Sequence, residues 1–144
     1  MIRMKQSHML HKNIETISLN CAFVKCGILK TIVNITEKTL EDAILAFTMG
    51  EHEVALQILN RLSSENSSSV DVWRALAEVQ LSIENFDEAE YACKKALELQ
   101  PEDLTSTVSL ARILVNKGDK EGAESASAKA RVLGWKEELA EEID

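Results

Sequence analysis

Small residues recur along this chain at a fixed interval. Ala43, Ala77 and Ala111 stand 34 residues apart, and so do Ala55, Ala89 and Ala123. Gly50 and Gly118 are separated by two such intervals. A period of this length marks one supersecondary unit repeated, because such a unit cannot bury its apolar face alone and must stack on a copy of itself. Small residues at matched positions have a packing cause. Two helices that cross closely leave no room for a larger side chain at the crossing.

The clearest unit is Val70 to Asp103. Trp73, Leu76, Ala77 and Leu81 fall at helical spacing, and after the polar break 82–85 so do Phe86, Ala89, Cys93, Ala96 and Leu97. Pro101 stops the second helix, since proline lacks an N–H and disfavours helical backbone in the residue before it. The order Trp-x2-Leu-Ala, then Phe-x2-Ala-x3-Cys-x2-Ala-Leu, then Pro resembles the tetratricopeptide repeat (TPR), a 34-residue helix–turn–helix. Gln80 stands where that family usually has Tyr, and Glu84 where it usually has Gly.

The resemblance implies an all-α, right-handed α-solenoid of about three repeats, spanning 36–69, 70–103 and 104–137, in a domain covering 36–144. In the first unit, Leu40, Ala43, Ile44 and Phe47 form one helix, Gly50 the turn, and Val54, Ala55, Ile58, Leu59 and Leu62 the second helix. The loop 63–69 follows, with Ser69 as an expected N-cap. In the third unit Asp103 and Asp119 are expected caps, Gly118 makes the turn, and Gly134 is expected to end the last repeat helix. A short acidic helix over 136–144 then reads as a terminal cap, with Trp135 and Leu139 covering the end of the array.

Residues 1–35 form a basic, apolar N-terminal segment. Residues 1–12 lack periodicity and read as disordered. Residues 13–35 fit a packing helix, with a strand as the alternative over 31–35. Lys25 and Lys30 interrupt the apolar run, which disfavours a membrane span and a secretory signal. Truncation of 1–35 is expected to leave a helical domain that still unfolds cooperatively.

The net charge of −8 is uneven. Residues 1–38 carry six basic and two acidic side chains, the rest ten basic and 22 acidic. A body this acidic argues against nucleic acid, whose binding needs clustered Lys and Arg. Three cysteines (Cys21, Cys26, Cys93) are an odd number in a chain long enough to need no disulfide staple, and imply a reducing, cytoplasmic setting.

No catalytic constellation is visible, so the chain reads as a non-enzyme with no cofactor. His52, between Glu51 and Glu53, reads as a solvated surface residue. His8, His11, Cys21 and Cys26 have ligand types that zinc accepts, but their spacing is loose, and the reading is no metal. Cys93 reads as a buried small hydrophobe.

The family resemblance implies a concave wall, made by the first helix of each unit, that receives a peptide or helix. Its residues here are Leu40, Ile44 and Phe47, then Arg74, Glu78 and Leu81, then Val108, Arg112 and Val115, each triplet on one helical face. The places of the family's carboxylate clamp hold Leu40, Ile44, Ala75, Thr105 and Ser109, so that clamp is absent. The wall therefore implies a protein or peptide ligand that is apolar, with acidic flanks to meet Arg74 and Arg112. A local Arg74–Glu78 pair is the competing use of Arg74. Similar three-repeat proteins serve as secretion chaperones or assembly factors, which implies an interaction scaffold. The alternative is a membrane-tethered assembly factor anchored through residues 1–35.

Overall fold

A computed structural model describes residues 38–143, which belong to a unit spanning Lys38–Asp144. The expectations for residues 1–35, including the anchor, the packing helix and the His8/His11/Cys21/Cys26 set, lie outside the described residues. Within them there are six helices and no strand: α1 (Leu40–Thr48), α2 (His52–Glu65), α3 (Val70–Ser82), α4 (Phe86–Leu99), α5 (Leu104–Lys117) and α6 (Lys120–Ile143).

The helices pair antiparallel through short turns, α1 with α2, α3 with α4 and α5 with α6. Each pair also packs on the next. The first helices touch one another in series, α1 on α3 and α3 on α5, whereas α2, α4 and α6 do not touch each other. The first helices therefore line one wall and the second helices the other, as in a TPR solenoid.

The periodic alanines sit where close crossing requires them. Ala43, Ala55, Ala77, Ala89, Ala111 and Ala123 are all buried. One continuous core runs through the first two units and reaches Ile113 of the third. A smaller cluster of Ala111, Leu114, Ala123 and Ala126 joins α5 to α6. At the buried second-helix alanines Ala55, Ala89 and Ala123 a branched side chain would push the partner helix away.

The turns follow the same period. Gly50 and Gly118 take φ of 83° and 79°. Glu84, at the equivalent place in the middle unit, takes φ of 63°. The fold thus imposes left-handed backbone on a residue with a Cβ, at a cost of about 1–2 kcal/mol. Glu84→Gly removes that strain but makes the unfolded chain more flexible, which returns about 0.4–1 kcal/mol. The expected net is a stabilisation of about 0.5–1 kcal/mol, read as a higher denaturant midpoint at unchanged m-value. An unchanged or lower midpoint would show that the turn carries no strain.

The end of the array differs from the sequence expectation. Gly134 does not stop the last helix. α6 continues through it to Ile143, so the separate cap over 136–144 is the final stretch of one 24-residue helix. A mid-helix glycine costs only about 1 kcal/mol relative to alanine, and the Lys, Glu, Leu and Ala that follow are strong helix formers. Nor do Trp135 and Leu139 cover the third unit. Both are exposed, because α5 is only 14 residues long and α6 outruns it. Among the described residues no helix is long and apolar enough to cross a membrane.

Candidate interaction groove

The wall formed by α1, α3 and α5 carries a cavity of about 350 Å³ between α1 and α3. Leu40, Ala43, Ile44 and Phe47 line it from α1, with Asp71, Arg74, Ala75, Glu78 and Val79 from α3. Five of the nine expected groove residues (Leu40, Ile44, Phe47, Arg74 and Glu78) therefore meet in one pocket. α1 has no helix before it among the described residues.

Leu81, expected on the wall, is buried. It is 8% exposed and belongs to the core. Its equivalents fare differently: Phe47 is half-buried, and Val115 is exposed. The cause is position in the array, since α3 has a first helix on either side and α5 only on one. Val108, Arg112 and Val115 extend the wall along α5, all of them exposed and outside the α1–α3 pocket.

The arginines behave unlike one another. Arg74 does not pair with Glu78. Its Nε donates to Asp103 Oδ2 at 2.9 Å, its Nη2 to Asp103 Oδ1, and its Nη1 to Asp71 Oδ1 at 2.8 Å. Asp103 is only 4% exposed on its side chain and Arg74 29%. The same Asp103 carboxylate caps α5 by accepting from the Ser106 N–H at 2.9 Å. Burial pushes its carboxyl up, and the hydrogen bonds from Arg74 and Ser106 more than offset this, holding it below the ordinary carboxylate range. One residue thus ends the middle unit, starts the next and ties both to α3.

Arg112 is the looser cation. Its Nη1 lies 3.4 Å from Glu78 Oε2, and its side chain is 58% exposed. Glu78 is also held by the hydroxyl of Ser109. Glu78 and Arg112 occupy the same place in successive units, so this pair crosses the repeat boundary on the wall itself.

Elsewhere the side chains serve packing. Trp73 donates its indole N–H to the Ser67 carbonyl at 2.8 Å and meets Tyr91 edge-on, with ring centroids 6.0 Å apart. His52 is not the solvated residue its acidic neighbours suggest: it is half-buried, with its ring 5.5 Å from that of Phe47. Its aromatic neighbour Phe47 stands near the end of the preceding helix, five residues before His52. Cys93 is buried in the core and its thiol is pushed up to about 12 by burial, with Glu78, Asp103 and Glu90 adding to the effect. A thiol so placed stays protonated and unreactive.

Sequence reasoning missed Asp103 as a functional neighbour of the wall. Its capping role was legible from its position before a helical pattern, but its pairing with Arg74, 29 residues earlier, had no local signal.

Residues 70–103 match the family model for the tetratricopeptide repeat. Among solved structures, a crystal structure of MamA shares 23% identity over 67% of this chain and 57% of its own, with a TM-score of 0.65. A second MamA crystal structure shares 23% identity over 67% of this chain and 53% of its own, with a TM-score of 0.62. A chain from a T3SS complex of Aeromonas hydrophila shares 22% identity over 90% of this chain and 87% of its own, with a TM-score of 0.65. This chain thus spans between 53% and 57% of the length of those two MamA structures. No curated protein sequence matches it.

Proposed function

For a chain that carries a tetratricopeptide repeat and folds as a solenoid of such units, we propose the role of a binding module that holds a partner segment along the α1–α3–α5 wall and performs no chemistry of its own. The observation that carries this reading is the pocket of about 350 Å³ with its apolar lining of Leu40, Ile44, Phe47, Ala75 and Val79. Its volume lies in the range of pockets that take a ligand, about 300–1,000 Å³. An apolar side chain of an amphipathic helix or extended peptide suits it, with the rest of the segment running toward Val108 and Val115. A T3SS complex among the similar structures supports a protein partner.

The acidic flank expected of the partner narrows to one contact. Arg74 already shares its charge between Asp71 and Asp103, whereas Arg112 is exposed and weakly held. An acidic residue of the partner is therefore read at Arg112, which lies beside the pocket residue Glu78.

Ile44→Glu tests the reading. Ile44 is half exposed, so the folded state should tolerate the change within about 0.5 kcal/mol. A carboxylate buried against an apolar anchor is costly, so a partner captured by the wild-type chain should bind the variant at least tenfold more weakly, about 1.4 kcal/mol. Equal capture by wild type and a folded variant would put the binding surface elsewhere.

A further inference from the structure

The last turns of α6 carry an apolar stripe that nothing in the array covers. Val132, Trp135, Leu139 and Ile143 are 51%, 63%, 60% and 85% exposed. Their spacings of three and four residues put all four on one face of the helix. That face points away from α5, because the side chains packed inward are Ala123, Ala126 and Leu133. The stripe is about 17 Å long at the rise of an α-helix. It lies on the second helix of the third unit and so apart from the groove wall.

The charges beside the stripe indicate what covers it. Arg131 and Glu138 flank it on the same side, and neither forms an ion pair within the chain among the described residues. Lys136, on the other flank, is already neutralised by Glu102 at 2.8 Å. Arg131 and Glu138 are seven residues apart, as are Val132 and Leu139, and both pairs are centred beside Trp135. A twofold axis next to Trp135 therefore sets Arg131 against Glu138 of a second copy, with the contact made twice, and brings Val132 to within two residues of register with the second copy's Leu139. A parallel pairing would instead set the Arg131 flank of one copy against the Lys136 flank of the other, where like charges meet.

We propose that α6 is a self-association surface: two copies of this chain pair through antiparallel α6 helices, with Trp135 at the axis and reciprocal Arg131–Glu138 ion pairs beside it. The arrangement leaves the groove of each copy open, which gives a two-site binder.

Sedimentation velocity of the full chain over a concentration series tests this. The wild type should show a monomer–dimer equilibrium, and Trp135→Lys should weaken dimerisation at least tenfold at unchanged helicity. Arg131→Glu and Glu138→Arg should each weaken it, and the double variant should recover it, because the reversed pairs meet again across the axis. A chain that stays monomeric at all concentrations overturns the proposal, whether Trp135 emission shows it wet or shielded by its own chain. A dimer that Trp135→Lys leaves intact, or whose single charge reversals are not rescued by the double, places the contact elsewhere and overturns it equally.

Discussion

Asp103→Ala is expected to destabilise the fold by about 2–4 kcal/mol. Two losses combine. The N-cap of α5 goes with the carboxylate that accepts from Ser106, which typically costs about 0.5–2 kcal/mol. Arg74 also loses the partner that holds two of its nitrogens. Breaking a fully buried pair costs about 3–5 kcal/mol, and here the figure is smaller because Arg74 is partly exposed and keeps Asp71. Asp103→Asn separates the two effects, since Asn caps as well as Asp but carries no charge. It should fall between wild type and Asp103→Ala. The pH dependence has a definite sign. The folded carboxyl lies below its unfolded value, so its contribution is complete above the ordinary carboxylate range and is lost as pH falls through the folded value. The stability gap between wild type and Asp103→Asn should therefore close in acid. A gap independent of pH, in urea melts from neutral pH down to the acid limit, would show that the Arg74–Asp103 pair does not stabilise the fold.

This contact also marks how far the sequence carries. Helix positions and turns were legible because they are imposed locally. A crossing of two helices demands a small residue at one place in every unit, and the demand leaves its trace at Ala43, Ala77 and Ala111. Even Glu84, which breaks the glycine pattern, keeps the left-handed backbone the pattern implies. Side-chain partners were not legible in this way. Arg74 had a carboxylate four residues along its own helix, yet it turns to one 29 residues ahead, because Asp103 is fixed and buried at the next helix start and Glu78 is engaged by Ser109 and Arg112. Leu81 shows a second limit. Periodicity places it on the wall row, but burial depends on the number of neighbouring helices, and the middle unit has them on both sides. Trp135 and Leu139 err in the opposite sense: the helix formers after Gly134 were legible, but not that one continuous α6 carries these residues past the end of α5.

Ala89→Leu should destabilise by about 1–3 kcal/mol, and Ala123→Leu similarly, through overpacking. Ala89 is fully buried, as is its equivalent Ala55, and shares one core with Ala77 of the facing helix. Three added carbons have no void to enter there. The α3–α4 pair must either separate or force side chains off their rotamers, and Cys93 and Ala96, one turn and two turns along the same buried face, would lose contact as well. Ala123 is closer to the end of the array, within the small α5–α6 cluster, where fewer neighbours resist a shift. Its cost should accordingly sit at the lower end of the range. Ala140→Leu supplies the control: Ala140 is exposed on α6, so the same change of side chain should alter the melting midpoint little. Thermal and urea melts of the three variants read the result together. Equal midpoints for Ala89→Leu and Ala140→Leu would mean that the 34-residue alanine spacing does not report the helix crossing, and the packing register of the solenoid would have to be redrawn.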